Sequence, residues 1–266
     1  GWLVRFDASI GEEVSIKPIE PLNTPAWRWN WDAPLLISPH NHERLYFCAN
    51  VVFKSDNRGN SWEVISPDLS KGENRNEFKI MERYWPSDAI AKNQSTSIYG
   101  NIVAFAESPI QEGLLFAGTD DGLLHIKQAG SSDWTKSESF PGIPNSAYVQ
   151  GIWPSKHDKN VVYVAFNHHK YGDFKPYLLK SSDGGKSWIS LQSNLPERGT
   201  VYAFAEDHKN ANLLFTGTEF GLFTSWDAGN DWKALKSGLP TVAVKDIEIQ
   251  EREDDLVLAT FGRGFY

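Results

Sequence analysis

Three acidic residues lie in short turns, and the chemistry that they could do is acid–base catalysis. Asp120 and Asp121 belong to the string GTDDG, and Glu219 belongs to the string GTEFG. Hydrolysis of a glycosidic bond needs two carboxyl groups roughly 5–10 Å apart, one of which serves as the general acid. Asp120 and Glu219 are therefore the candidates for catalysis. Asp-Gly and Glu-Phe-Gly are also ordinary turn formers, so solvated turn carboxylates are the more common alternative.

A second set of residues could bind a ligand by aromatic stacking, hydrogen bonding and charge. Aromatic rings beside carboxylates and arginines suit a carbohydrate or peptide groove. The candidate ligand-binding residues are Asn50, Arg83, Tyr84, Trp85, Asp88, Asp121, His168, Phe220 and Arg263. Four of them fall in one long segment between strand patterns, which is either a binding loop or a plug over a central channel.

The histidines and the single cysteine do not indicate a metal site. His40 and His42, like the pair His168 and His169, have no Cys or carboxylate partner at the spacing of a metal site. We therefore predict no metal, and we expect no cofactor because the sequence has no P-loop and no dinucleotide-binding motif. Cys48 is the only cysteine, and the apolar residues around it predict a buried side chain.

The composition excludes some partners. The 266 residues carry a formal net charge of -8, from 34 acidic and 26 basic residues. No cluster of Lys and Arg forms the basic stripe that nucleic acid binding needs. No apolar stretch approaches the ~20 residues of a membrane-spanning helix. The 11 Trp, 9 Tyr and 15 Phe suit either a β-rich core or the stacking of rings against a ligand.

The elements that position these residues follow from an internal repeat. Five apolar segments align, and the last four recur at roughly the 40–50 residue spacing of propeller blades. The segments are Leu45–Ala49, Leu114–Gly118, Val161–Ala165, Leu213–Gly217 and Leu256–Thr260. Each belongs to a unit of four short apolar runs separated by Gly, Asn and Asp, which is typical of an antiparallel meander. Repeated four-stranded units predict an all-β fold, the β-propeller.

The repeat divides the chain into blades. Four full blades are predicted at 33–66, 101–137, 147–192 and 200–236, with the end of a blade at 1–17 and the start of another at 243–266. Residues 67–100 form an inserted loop, the long link, between two full blades. Both ends of the chain supply a third strand, so a closed ring of five blades fits poorly. We expect a part of a larger propeller of about seven blades, with open edges against the remaining blades or another chain.

An eight-residue turn joins the third and fourth strands of three blades. SDNRGNSW, SSDGGKSW and SWDAGNDW share Ser at position one, Asp or Asn at three, Gly at five and Trp at eight. The Asx side chain can accept backbone N–H groups, Gly supplies a positive φ, and Trp can pack between blades. The residues with this structural role are Ser55, Asn57, Gly59, Trp62, Ser181, Asp183, Gly185, Trp188, Ser225, Asp227, Gly229 and Trp232.

These turns resemble the Asp boxes of Asp-box (BNR) propellers, and the chain resembles in particular their sortilin-like bacterial group, often labelled glycosyl hydrolases. The resemblance covers nearly the whole chain and includes the strings NQSTSIYGN, GTDDGL, GTEFGL and TFGRGFY. The cysteine-rich module of sortilin and the F-R-I-P string of sialidases are both missing from the sequence. The resemblance therefore implies neither receptor sorting nor sialidase activity.

Blade topology separates the candidate residues by face. The turns after the first and third strands lie on one face, whereas the turns after the second strands lie on the other, with the links between blades. Propellers usually bind ligands on that second face, which holds the candidate ligand-binding residues. Trp27, Trp29 and Trp31 alternate with polar residues in one link. They form either a ladder that stacks on sugars or, more commonly, a seam between blades.

The sequence predicts an extracytoplasmic propeller domain that binds a glycan or a polypeptide on the face opposite the Asp boxes. The alternative is a glycoside hydrolase that acts on a polysaccharide, with part of its active site outside this chain. The third hypothesis is a structural subunit whose open edges pair with a neighbour. Neither nucleic acid nor a membrane span is expected.

Overall fold

The computed structural model describes residues 2–79, 82–90, 99–236 and 238–266. Its strands form six antiparallel sheets. The part of the NQSTSIYGN string that precedes Tyr99 lies outside the described residues.

The strands follow one another along the chain as successive meanders. The first sheet is a hairpin of β1 (Val4–Asp7) and β2 (Glu12–Ser15). The first full blade has β3 (Leu35–Ile37), β4 (Leu45–Cys48), β5 (Val52–Ser55) and β6 (Glu63–Val64). The second has β7 (Ile102–Glu107), β8 (Leu115–Thr119), β9 (Leu124–Lys127) and β10 (Trp134–Ser137). The third has β11 (Tyr148–Pro154), β12 (Val162–His168), β13 (Asp173–Ser181) and β14 (Ile189–Ser190). The fourth has β15 (Val201–Glu206), β16 (Leu214–Thr218), β17 (Gly221–Ser225) and β18 (Lys233–Leu235). The C-terminal sheet has β19 (Val244–Gln250), β20 (Asp255–Thr260) and β21 (Gly264–Phe265).

The predicted all-β propeller architecture is confirmed. Four four-stranded antiparallel sheets are flanked by a two-stranded and a three-stranded sheet. The described residues contain no α-helix, only two short 3₁₀ turns at Arg75–Glu77 and His169–Tyr171. Strands β3, β7, β11, β15 and β19 lie beside one another in that order, so the first strand of each blade is the innermost. Within the described ranges, β1 and β2 do not pair with β19–β21. None of the helical turns described is long and apolar enough to cross a membrane.

The hydrophobic core lies between neighbouring blades. Every residue of β8 is buried, because this strand is covered on both faces of its sheet. One core cluster joins Phe116 of the second full blade to Val164 and Phe166 of the third. Gly118 allows this close approach, since a Cβ at that position would lie 2.3 Å from Cγ1 of Val149 in the next blade.

The three eight-residue turns, called here the octapeptide turns, share one geometry. They are residues 55–62, 181–188 and 225–232. In the second turn, Ser181 Oγ accepts the N–H of Gly185 at 2.8 Å. Asp183 accepts the hydroxyl and the backbone N–H of Ser187, and these hydrogen bonds lower the pKa of the Asp183 carboxyl to about 2. In the other two turns, Ser Oγ likewise accepts the N–H of the turn glycine, at 2.8 Å in the first turn and 2.9 Å in the third.

The tryptophan at the end of an octapeptide turn contacts the preceding blade or sheet. Trp62 Nε1 donates to the carbonyl oxygen of Ile16 at 2.6 Å, and Trp232 Nε1 donates to that of Leu191 at 2.9 Å. The turn glycine rests on the same residue, because a Cβ on Gly229 would lie 3.1 Å from the Leu191 side chain. Each of these turns therefore fastens its blade to the one before it.

Trp134 makes the same contact although its turn lacks the octapeptide pattern. Its Nε1 donates to the carbonyl oxygen of Ile65 in the preceding blade at 3.1 Å. Trp188 packs edge-on against Phe140 at the end of the preceding blade, with ring centroids 5.7 Å apart. The indole contact is therefore more widespread than the octapeptide pattern. It also occurs at Trp134, where the preceding residues no longer show that pattern.

The seam between the first two full blades contains a further polar contact. The hydroxyl of Tyr46 donates to Glu107 Oε1 at 3.2 Å, and His40 Nε2 lies 2.8 Å from the carbonyl oxygen of Ser108. The seam between the third and fourth full blades repeats both contacts. His40 is therefore a residue of blade packing. Cys48 is buried in the core, as predicted.

Candidate ligand-binding site

The two ends of the blades carry different loops. At one end, the octapeptide turns contact the turns after the first strands, as where the N–H of Arg58 donates to the carbonyl oxygen of Glu43 at 2.9 Å. At the other end, the turns after the second strands contact the links, as where the N–H of Glu219 donates to the carbonyl oxygen of Thr200 at 3.1 Å. We call these ends the turn end and the link end. The candidate ligand-binding residues all lie at the link end, in its loops or, for His168, at the end of β12.

Asp120 and Asp121 hold the two ends of the long link together. Asp121 Oδ2 accepts the N–H of Lys71, near the start of the loop, at 2.8 Å. Asp120 Oδ1 accepts the N–H groups of Gly100 and Asn101, at the end of the loop, at 3.0 and 2.9 Å. Both aspartates are buried. One turn thus fastens the neck of the long link through two separate sets of hydrogen bonds.

The surroundings of Asp120 raise the pKa of its carboxyl to about 6. Burial is the largest cause, and the negative charge of Asp121 adds to it, while the N–H groups of Asn101 and Gly100 act in the opposite direction. The carboxyl therefore changes its charge near neutral pH, at the neck of the loop. A pKa in this range is also what a general acid requires.

The link before the first full blade completes this neck. Arg28 donates to the carbonyl oxygen of Gly100 at 2.8 Å and to Asp68 at 2.6 Å. The backbone N–H of Arg28 donates to Asn50 Oδ1 at 2.9 Å. Asn50 is buried, so its side chain supports the link instead of facing an open groove.

The three tryptophans of this link occupy two environments. Trp29 stacks on Phe53 with ring centroids 5.5 Å apart, and Trp27 packs edge-on against the same ring at 4.5 Å. Trp31 is 78% exposed. Trp27 and Trp29 therefore belong to a seam against the first full blade, and the three indoles do not form one exposed ladder.

The described part of the long link keeps its candidate residues at the surface. Arg83, Tyr84, Trp85 and Asp88 are all exposed. The guanidinium carbon of Arg83 lies 5.1 Å from the ring centroid of Trp85. These four residues are therefore accessible to a ligand, on a loop whose neck is fixed.

A β-bulge interrupts the innermost strand of four successive blades. One residue is left out of the register between the first and second strands, at the equivalent place in each blade. These residues are Val103, Gln150, Tyr202 and Lys245. The residue before each of them is fully buried. A bulge re-aims a side chain, so the four blades bring four different side chains to equivalent positions at the link end.

The bulge residues Tyr202 and Lys245 lie at the centre of a group of four ring-bearing side chains and one lysine, called here the ring cluster. Its members are His169, Phe174, Tyr202, Lys245 and Phe261. Lys245 Nζ lies 3.1 Å from the ring centroid of Tyr202 and 5.8 Å from that of Phe261. His169 packs against Tyr202 and Phe174, with centroids 6.1 and 5.0 Å apart. The cluster joins the last two full blades to the C-terminal sheet.

A second stack of rings stands beside the ring cluster. His168 and Tyr171 are parallel, with ring centroids 4.2 Å apart. Tyr171 is 72% exposed, so part of this stack is open to solvent. Such an open ring is the kind of surface on which the C–H face of a sugar packs.

The cations near these rings contact rings and not carboxylates. The guanidinium carbon of Arg198 lies 5.5 Å from the centroid of Phe174, and Lys170 Nζ lies 5.3 Å from that of Tyr99. Among the described residues, no ion pair joins Lys170, Arg198 or Lys245 to an acid. Most ion pairs of the described chain lie at the turn end instead.

Three predicted residues lie close to the ring cluster or beside it. Glu219 is partly buried, and its charge acts to raise the pKa values of His169 and Lys245, although burial is the larger effect and lowers both. Phe220 and Arg263 are exposed at neighbouring turns. Asp120 belongs to the neck of the long link, so the structure places the two catalytic candidates in different environments.

Sequence reasoning missed the centre of this surface. Tyr202 and Lys245 were concealed because they stand inside strands that otherwise alternate regularly. Alignment of the repeats could have revealed them. The equivalent position is Val103 and Gln150 in two blades but Tyr202 and Lys245 in the next two. In the part of the chain that the structure describes, no group of three or more His, Cys, Asp and Glu could hold a metal.

Comparison with known proteins supports the fold and does not show a family. No family model matches the chain, and no curated protein matches it. Solved structures of β-propellers do match, and the three described below are 11–20% identical to the chain.

Three of these structures illustrate the range of propellers that the chain is similar to. An ancestral GH74 enzyme is 20% identical with a TM-score of 0.62, and the match covers 90% of this chain and 28% of that enzyme. The GH74 xyloglucanase from Xanthomonas campestris is 15% identical with a TM-score of 0.62, covering 87% of this chain and 35% of the enzyme. YCF48 bound to D1 peptide is 11% identical with a TM-score of 0.56, covering 94% and 65%. The chain therefore spans about a third of the GH74 enzymes, and the likeness shows the propeller fold alone.

Proposed function

We propose that this chain is an extracytoplasmic propeller domain that binds a glycan or a polypeptide at its link end. The observation that carries the proposal is the ring cluster, with its open rings and unpaired cations. Aromatic and polar groups that converge on one surface are the usual composition of a binding site. At the turn end, many polar groups are used in turns and ion pairs.

A glycan is the ligand that the surface suits better. Tyr171, Phe220 and Phe261 expose flat ring faces, and such faces pack against sugar rings. The exposed Trp85 on the long link would extend the same surface. The similarity to GH74 enzymes is consistent with a carbohydrate ligand, and the similarity to YCF48 bound to a peptide keeps a polypeptide as the second possibility.

We further propose that the octapeptide turns are Asp boxes and that the chain belongs with the sortilin-like Asp-box propellers. The support is the common hydrogen bonding of Ser, Asx and Gly in three turns of equivalent blades. In this proposal the turns are structural, and the remaining blades of the ring or another chain cover the open edges.

The binding proposal predicts a large effect of two substitutions at the link end. Trp85→Ala and Arg263→Ala should each weaken binding to glycans on an array by about tenfold or more, because truncation of a central aromatic or Arg contact costs about 2 kcal/mol. Trp226→Ala, which removes a 60% exposed indole at the turn end, is the matched control and should change nothing. Unchanged binding by both link-end variants would contradict the proposal.

A polysaccharide hydrolase is the second candidate function. It is favoured by the Glu219 carboxylate, which has no hydrogen bond or ion pair among the described side chains, and by the raised pKa of Asp120. In this mechanism the protonated acid would donate to the leaving oxygen and a carboxylate would act as base or nucleophile. Reducing-sugar release from a glucan panel, lost in Glu219→Gln, would support it. Failure of the full-length protein to release sugar from any polymer would contradict it.

A further inference from the structure

We propose that the link end binds an anionic polysaccharide of the uronic acid class, whose carboxylates meet Lys170, Arg198 and Lys245. The sugar rings of the polymer would lie on the exposed aromatic faces between these cations. This inference rests on the proposed function and adds the chemical class of the ligand.

Three cations of the link end lie over aromatic rings. Lys245 is held over Tyr202, and no described carboxylate lies within ion-pair distance of its ammonium group. A ring attracts a cation through its quadrupole, and the charges of Glu219 and Asp120 act on Lys245 and Lys170 without forming an ion pair. Lys170 and Arg198 are held on rings in the same way. Each of these exposed cations can therefore form a direct ion pair with a carboxylate of a ligand.

The three cations belong to separate elements of the fold. Lys170 lies in the 3₁₀ turn after β12, Arg198 lies in the link before β15, and Lys245 is the bulge residue of β19. Each of them therefore sits at a different place on the link end. An extended polyanion carries a carboxylate in every residue and could contact cations on separate elements.

Exposed rings accompany the cations at the link end. Tyr171 and Phe261 are 72% and 73% exposed, and Phe220 is 48% exposed. A uronic acid polymer presents an apolar sugar face and a carboxylate in every residue, which suits a surface that exposes both rings and cations. An acidic polypeptide supplies the carboxylates without the flat faces. The rings therefore favour the polysaccharide.

The experiment compares three polymers on the wild-type protein by calorimetry. The polymers are polygalacturonate, carboxyl-reduced polygalacturonate and poly-L-glutamate. Polygalacturonate should bind at least tenfold more tightly than the other two, and its affinity should fall as the salt concentration rises. Lys245→Gln and Arg198→Gln should each weaken polygalacturonate binding by about tenfold, since a charge-assisted hydrogen bond is lost. Lys233→Gln, which removes a lysine that is paired with Asp231 at the turn end, should have no effect.

Each contrary result would overturn a different part of the proposal. Equal affinity for the carboxyl-reduced polymer, with Lys245→Gln unchanged, would overturn the uronic acid assignment while leaving a glycan site in place. Poly-L-glutamate binding as tightly as polygalacturonate would overturn the choice of a polysaccharide over a polypeptide. If neither polysaccharide nor any glycan on an array binds, the proposed function fails together with this inference. Unchanged melting temperatures of the variants would show that they remain folded.

Discussion

Replacement of Trp232 by Ala is expected to lower the free energy of unfolding by about 3–5 kcal/mol. The side chain is 2% exposed, packs in the core between the third and fourth full blades, and donates to the carbonyl oxygen of Leu191. Truncation would leave a cavity in that seam and remove the donor from a buried carbonyl group. Urea unfolding followed by circular dichroism measures the change.

Two further variants separate the contributions of Trp232. Trp232→Phe keeps much of the ring but removes the N–H donor, so it should cost about 1–3 kcal/mol. Trp226→Ala changes an exposed indole in the same turn and should cost less than about 0.5 kcal/mol. If Trp232→Ala were as stable as Trp226→Ala, the indole contacts would not hold neighbouring blades together.

Removal of the charge of Asp120 is expected to change the pH dependence of stability by about 3 kcal/mol. The pKa of this carboxyl is about 6 in the folded protein, above the usual 3.8, so the folded state binds more protons between these values. The contribution of the carboxyl to stability is therefore complete below pH ~4 and is lost as the pH rises through 6. Asp120→Asn cannot titrate, so relative to wild type it should gain about 2.5 of these ~3 kcal/mol between pH 4 and pH 7.5, because the unfolded carboxyl is already partly ionised at pH 4.

A matched variant tests the hydrogen bonds of the same side chain. Asp120→Ala also cannot titrate, but it leaves the N–H groups of Gly100 and Asn101 without their acceptor. It should be about 1–3 kcal/mol less stable than Asp120→Asn at both pH values. Chemical unfolding at pH 4 and 7.5 gives all the differences, and parallel pH profiles for wild type and Asp120→Asn would contradict the assignment.

The fold could be predicted from the sequence because its information is local and repeated. Short apolar runs, turn residues and the recurring Trp specify a blade, and every blade repeats the specification. The same dependence on local sequence explains why one contact between blades was not predicted. The indole contact of Trp134 was not predicted, since the turn before it no longer carries the Ser, Asx and Gly pattern, although the packing of the indole does not require them.

The candidate site could be predicted only in part, because it depends on contacts between blades. Phe220 and Arg263 stand in turns whose position follows from topology, and they lie at the predicted end. The partners of Asp120 and Asp121 could not be predicted, since the ends of the long link come together only in the folded structure. Tyr202 and Lys245 face each other because a bulge recurs in adjacent strands, and a bulge has no clear signal in one sequence.

The most direct test of the central claim, that the link end is the binding surface, is hydrogen exchange measured with and without bound polygalacturonate. We expect slower exchange in peptides that cover 168–174, 198–202 and 243–246, with unchanged exchange in the octapeptide turns at 181–188 and 225–232. Protection of the octapeptide turns instead, or binding without protection at the link end, would contradict the account.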